Sequence, residues 1–238
     1  MNFKIHKKQL LYFIGSFTLF TIIGTVSHEY GHILAAKSVG YETTLHYGSM
    51  SSKPKGKSEL YELYQTYRKE IDTNVVFPDE SRYKELRKKA NSNSLLITFG
   101  GPLQTMLTGI LGLLILFIRK KKVAVSGFKL TDWFAVFLAL FWMREVFNLA
   151  MGLASGIIKG NGNYFGTQGD EVNLSRHLNL YEGAIPLLFG SIGLLISLYV
   201  IFKIIPLKFR FTFIIAGLIG GISGFVLWFY YLGPIVLP

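Results

Sequence analysis

Cysteine is absent from all 238 residues, which excludes a disulfide framework and any thiolate metal ligand. Acidic groups are scarce, 14 Asp and Glu against 25 Lys and Arg, and histidine occurs 5 times. The stretch from Ala184 onward holds neither an acidic residue nor a histidine, so it offers little to a metal or a proton and reads as scaffold. No internal repeat is present. No small-residue cleavage site follows the basic N-terminal segment with Lys4, Lys7 and Lys8, so the apolar run behind it reads as an uncleaved first helix rather than a removable signal.

What the chain has in abundance is apolar surface. Half of its residues are hydrophobic, 15% are aromatic and only 16% are charged, the composition of an integral membrane protein. In a soluble chain a net charge of +11 would suggest a nucleic-acid partner. Here most Lys and Arg flank apolar runs, so lipid headgroups and topology account for the charge and no nucleic acid is expected.

The apolar runs predict an all-α, polytopic transmembrane bundle with about five spans, near residues 9–40, 94–118, 131–156, 184–204 and 211–232. Gly40 suits a helix C-terminal cap. Residues 41–93 form a polar insert with ten Lys or Arg against eight Asp or Glu. Leu60, Tyr61, Tyr64, Tyr67 and Ile71 recur there at helical spacing, and a charged helix is expected from about Asp79 to Ala90. Residues 158–182 form a loop whose Gly and Asn positions at 160–163, 166 and 169 permit unusual backbone angles.

One stretch carries chemistry. Ser27-His28-Glu29-Tyr30-Gly31-His32 closes the first apolar run. Positions four apart share a helix face, so His28 and His32 can present two imidazoles to one zinc ion while Glu29 projects beside them as a general base. Zinc wants neutral imidazoles in a tetrahedral set with one position open for water. A third protein ligand is then required. Alternating spans bring the end of the first helix, the start of the second and the end of the third to one side, which makes Asp170 the best candidate. Glu171, Glu145 on a regular helix and His177 are the alternatives. Gly100, Gly101 and Pro102 open the second span, where close backbone approach, a local break or a role in holding substrate is expected. Arg144 and Glu145 lie adjacent in the third span, cannot face each other, and need partners elsewhere or a water-filled cavity.

These islands resemble the site-2 protease family of intramembrane zinc metalloproteases. His28-Glu29-Tyr30-Gly31-His32 resembles its H-E-x-G-H, Gly101-Pro102-Leu103 its G-P-x-x-N element, and Phe147-Asn148-Leu149 its asparagine-leucine ahead of the third ligand, for which Asp170 would stand. Thr105 replaces the asparagine of G-P-x-x-N, Asp170 follows Asn148 by 22 residues, and Glu171 stands where the family has glycine. The resemblance implies a compact, divergent member without a PDZ domain. It implies hydrolysis of a peptide bond in a membrane-embedded or membrane-adjacent substrate, with His28, His32 and Asp170 on Zn2+, Glu29 as base, and Gly100, Gly101, Pro102 and Asn148 positioning substrate. A catalytically silent relative that binds a membrane partner, and a zinc transporter, are the competing readings. Further ligands along a pathway, which a transporter needs, are missing from the second, fourth and fifth spans. The setting expected is a multi-pass protein of a bacterial cell membrane, its partner the lipid bilayer; the oligomeric state is left open.

Overall fold

The computed structural model describes residues 3–56, 58–160, 164–165 and 169–238. The positions 161–163 and 166 of the glycine- and asparagine-rich loop therefore lie outside the described residues.

The described chain is mostly helical, and five of its helices are long and apolar enough to cross a membrane. Helix α1 (Lys7–Ser38) stops where Gly40, at φ +82°, turns the chain into a conformation that a Cβ disfavours. The insert then opens with something the helical periodicity did not suggest. Strands β1 (Tyr41–His46) and β2 (Ser49–Pro54) form an antiparallel hairpin, pairing Tyr41 with Pro54 through His46 with Ser49. Short helices α2 (Glu59–Thr66) and α3 (Arg68–Asp72) follow. Ser58 caps α2, its hydroxyl accepting from the Tyr61 amide, as Ser commonly does at a helix start.

The expected charged helix and the expected second span are one element, α4 (Glu80–Ser126), a rod of 47 residues. No break occurs at Gly100-Gly101-Pro102, which are buried inside it. Pro102 costs the helix one rung, a loss compatible with continuation when neighbouring groups satisfy the freed carbonyls. The insert's α2 is held on this rod by Arg82, whose guanidinium donates to both Glu59 carboxylate oxygens at 2.8 Å. Phe77 is buried between the rings of Tyr67 and Tyr83.

Helix α5 (Leu130–Ala139), a 3-10 turn (Leu140–Trp142) and α6 (Met143–Lys159) make the third long unit. Arg119 near the end of α4 pairs with the buried Asp132 at the start of α5, fixing that turn. After the short α7 (Asp170–His177) come α8 (Ala184–Tyr199), closed by a π-helical turn, and α9 (Leu207–Val226), which leads through a second π turn into α10 (Gly233–Val236).

Helices α1 and α9 run side by side in the same direction. At one end the His6 amide donates to Thr212 Oγ1 and Phe3 meets Phe211 edge-on. At the other the Tyr47 amide donates to the Leu237 carbonyl and Trp228 Nε1 to that of Tyr47, which ties the hairpin to α10. The core at the first end is aromatic, Phe13, Phe17, Phe137, Trp133 and Phe213 packing ring on ring. The polar groups that could do chemistry gather at the second end, where α1, α4, α6 and α7 meet.

Candidate metal centre

His28, Glu29 and His32 sit on the last turns of α1, all three buried. Their approach to α4 depends on having no side chain at two facing positions. A Cβ at Gly31 would lie 2.7 Å from that of Gln104, and one at Gly100 would lie 2.5 Å from the Gly31 carbonyl oxygen. Gly31 and Gly100 thus let the two backbones touch at the level of the histidines.

On the other side stands Asp170, the first residue of α7. The chain enters α7 through Gly169 at φ +136°, a backbone angle that suits glycine. Three hydrogen bonds then pin the helix. Asn148 Nδ2 of α6 donates to Glu171 Oε1 at 2.9 Å, Ser94 Oγ of α4 lies 3.3 Å from His177 Nε2, and the Ile185 amide of α8 donates to Ser175 Oγ at 3.1 Å.

The result is a triangle of ligand atoms. His28 Nε2 lies 2.9 Å from Asp170 Oδ2, His32 Nε2 lies 3.2 Å from the same oxygen, and the two Nε2 atoms are 3.2 Å apart. Zinc bonds of 2.0–2.1 Å at tetrahedral angles put neighbouring ligand atoms roughly 3.3 Å apart, so the triangle has the size that one such ion requires. The Glu29 carboxylate reaches within 4.8 Å of ligand atoms on both histidines, beside the triangle.

The imidazoles are oriented for this task. His32 Nδ1 is 2.7 Å from the Ile97 carbonyl, which can only accept, and 3.3 Å from the Gly101 amide, which can only donate; the shorter contact favours the proton on Nδ1, which leaves the Nε2 lone pair for an ion. His28 Nδ1 meets the buried Thr105 hydroxyl at 2.9 Å, a partner that accepts from or donates to the ring and so holds its orientation. Thr105, which departs from the asparagine of the family pattern, is therefore an outer partner that spacing did not assign. Asp170 is 30% exposed at its side chain.

Gly101 supplies a second test of fit. A Cβ built there would stand 2.5 Å from His28 Nε2 and closer still to His32 Nε2. The missing side chain leaves a notch beside both nitrogens. The donor set and its spacing fit a metal ion.

The remaining candidates fall elsewhere. His177 faces Ser94, and Glu171 accepts from Asn148. Asn148, expected to position substrate, is thereby engaged in holding α7. Glu145 is buried with neither carboxyl oxygen hydrogen-bonded among the described residues, and the triangle forms without it. Gly100 and Pro102 are buried inside α4, where the Gly100 backbone faces Gly31 of α1. Compared with protein-family models, with curated proteins and with solved structures, the chain gives no match.

Proposed function

We propose that this protein is an intramembrane zinc metallopeptidase of the site-2 protease type, cutting a peptide bond in a membrane-embedded or membrane-adjacent protein. The observation that carries the reading is the closed triangle of His28 Nε2, His32 Nε2 and Asp170 Oδ2 over the notch at Gly101. The five long apolar helices support a multi-pass membrane setting, and the order of motifs along the chain supports the family resemblance.

His28, His32 and Asp170 would hold the ion. When bound, it supplies Lewis-acid polarisation of a carbonyl and a water of lowered pKa. Glu29, beside the triangle and shielded by α1 and α4, takes the proton of the attacking water and delivers it to the leaving amine nitrogen. Thr105 and the Ile97 carbonyl keep both rings turned with Nε2 inward. Asn148 and Ser175 keep α7, and with it Asp170, at the correct distance.

Zinc per chain in detergent-purified protein tests this reading. Wild type and Glu29→Gln are expected to hold about one zinc, and Asp170→Asn little. Glu29→Gln is further expected to lose cleavage of a quenched apolar peptide that wild type cuts. A well-folded wild type free of chelator that takes up no zinc would overturn the assignment.

A further inference from the structure

We infer that the groove between α2 and the outer end of α4 holds the water-exposed flank of the membrane substrate, an extended peptide with an acidic side chain about seven residues from the cut bond. The inference rests on the metallopeptidase reading above and names a feature of the substrate for that same site.

The metal centre leaves the tyrosines of the insert without a task. They line a groove of about 550 Å³, formed by Leu60, Tyr61 and Tyr64 of α2, Ile71 of α3, and Tyr83 and Arg87 of α4. Its shape is set before any partner arrives. Arg82 clamps the start of α2 to α4 through both oxygens of Glu59, the Tyr67 hydroxyl donates to Asp79 at 2.8 Å, and the Phe77 ring sits between those of Tyr67 and Tyr83. Among the described residues Arg87 has no ion pair, and the hydroxyls of Tyr61, Tyr64 and Tyr83 have no protein partner. Asp72, the acid of the lining, is taken by Arg68 at 3.7 Å. Apolar surface, three hydroxyls and one uncompensated guanidinium thus converge, a set that a peptide with apolar side chains and one carboxylate satisfies.

The long helix α4 ties this groove to the metal centre. It is unbroken from Glu80 to Ser126, and residues about 18 apart return to the same face of an α-helix after about five turns. Tyr83 therefore shares a face with Gly101, whose Cβ position meets both histidines, and Arg87 shares one with Thr105, which meets His28. Helix α7 lies along the same side, from Asp170 at the centre to His177 beside Ser94, so the groove opens where α7 ends. At about 1.5 Å per residue Arg87 stands about 21 Å from Gly101 along the axis, the reach of about six or seven extended residues. A substrate flank leaving the centre beside α7 meets the guanidinium at that distance.

Height selects a peptide over a lipid. The apolar part of α4 begins at Leu95, and with α4 near the membrane normal Arg87 stands about 12 Å beyond it and Tyr83 about 18 Å. The headgroup layer adds only roughly 5–8 Å to each side of the hydrocarbon core. The groove therefore clears the bilayer surface on the side where the metal centre lies.

The test uses the full chain in detergent with Glu29→Gln, so that bound peptide is not consumed, and fluorescent peptides made of an apolar helix and a soluble tail. A Glu pair is moved along the tail one residue at a time and affinity is read by anisotropy. One position is expected to bind at least about tenfold tighter than a tail without Glu. In peptides that wild type cuts, that position is expected about seven residues from the cut bond. Arg87→Glu in the same background is expected to remove the preference, and a Lys pair at that position to restore it, which a merely structural Arg87 would not allow. An affinity that ignores the Glu pair, or a preference that survives Arg87→Glu, overturns the inference. Arg87-dependent binding of phosphatidylglycerol in mixed micelles without any peptide preference overturns it in favour of a headgroup site. The preference in a folded protein whose wild type takes up no zinc would support the groove and overturn the metallopeptidase reading; zinc with no preference would do the reverse.

Discussion

A single methyl group decides whether the centre can exist. At Gly101 it would crowd both Nε2 atoms, 2.5 Å from that of His28, so the imidazoles themselves would have to turn out of the positions in which they face Asp170. Gly101→Ala is therefore expected to reduce bound zinc from about one per chain to a few per cent, with the helical circular dichroism retained. Metal analysis after size exclusion checks this; one zinc in the alanine variant would mean that the ion, if bound, sits away from the notch. The residues at this scale were unequally legible. His28 and His32 declare themselves because helical spacing puts i and i+4 on one face, and the structure brings them together with Asp170, a juxtaposition that span counting had favoured. Thr105 could not be found that way. Its role depends on the rotation of α4 about its axis, which periodicity leaves free, and a threonine among apolar residues carries no signal of its own. Gly101 was legible as a place of close approach, but that two imidazoles approach it is set by the same rotation.

Between elements, the crossing of α1 and α4 fixes the level at which the ligands meet. Gly31 lies in the middle of the histidine motif, and its absent side chain faces the backbone of Gly100. Any Cβ there must push the helices apart, since the obstructing atoms belong to a main chain and cannot change rotamer. Gly31→Val is expected to cost about 1–3 kcal/mol through overpacking, and more if the helices cannot separate. A thermal melt in detergent reads this, and an unshifted Tm would show that the crossing is looser than it looks. The motif thus joins a packing requirement to a chemical one, which is why its glycine falls between the histidines. The hairpin was hidden at this scale. Strand β1 alternates half-buried Tyr41, Thr43 and Leu45 with exposed Glu42 and Thr44, but β2 is exposed except at Met50, so the period-two signal is confined to one short strand. The length of α4 was hidden as well, because composition changes along it from charged to apolar while the backbone does not.

For the molecule as a whole, the five apolar helices and their ends make a topology that can be checked without knowing any substrate. The starts of α1 and α9 share one end of the bundle, through His6 and Thr212, with the turn between α4 and α5 beside them, since Phe13 also meets Trp133. The hairpin, the insert and α10 share the other end, through Tyr47, Trp228 and Leu237. If the bundle crosses a bilayer, these two ends lie on opposite sides, and the candidate metal centre lies toward the second. The chain has no cysteine, so single cysteines can be introduced without background. Lys4→Cys and Val125→Cys mark the first end, Val76→Cys and Ile235→Cys the second, with Val125, Val76 and Ile235 being 91%, 80% and 79% exposed. A membrane-impermeant maleimide applied to sealed vesicles of one orientation is expected to label one pair and spare the other until detergent is added. Lys4 and Ile235 falling in the same class would mean an even number of crossings and would sink the five-span arrangement. The same experiment assigns the centre to a membrane face, a point on which the basic residues of the short loops and those of the insert pull in opposite directions.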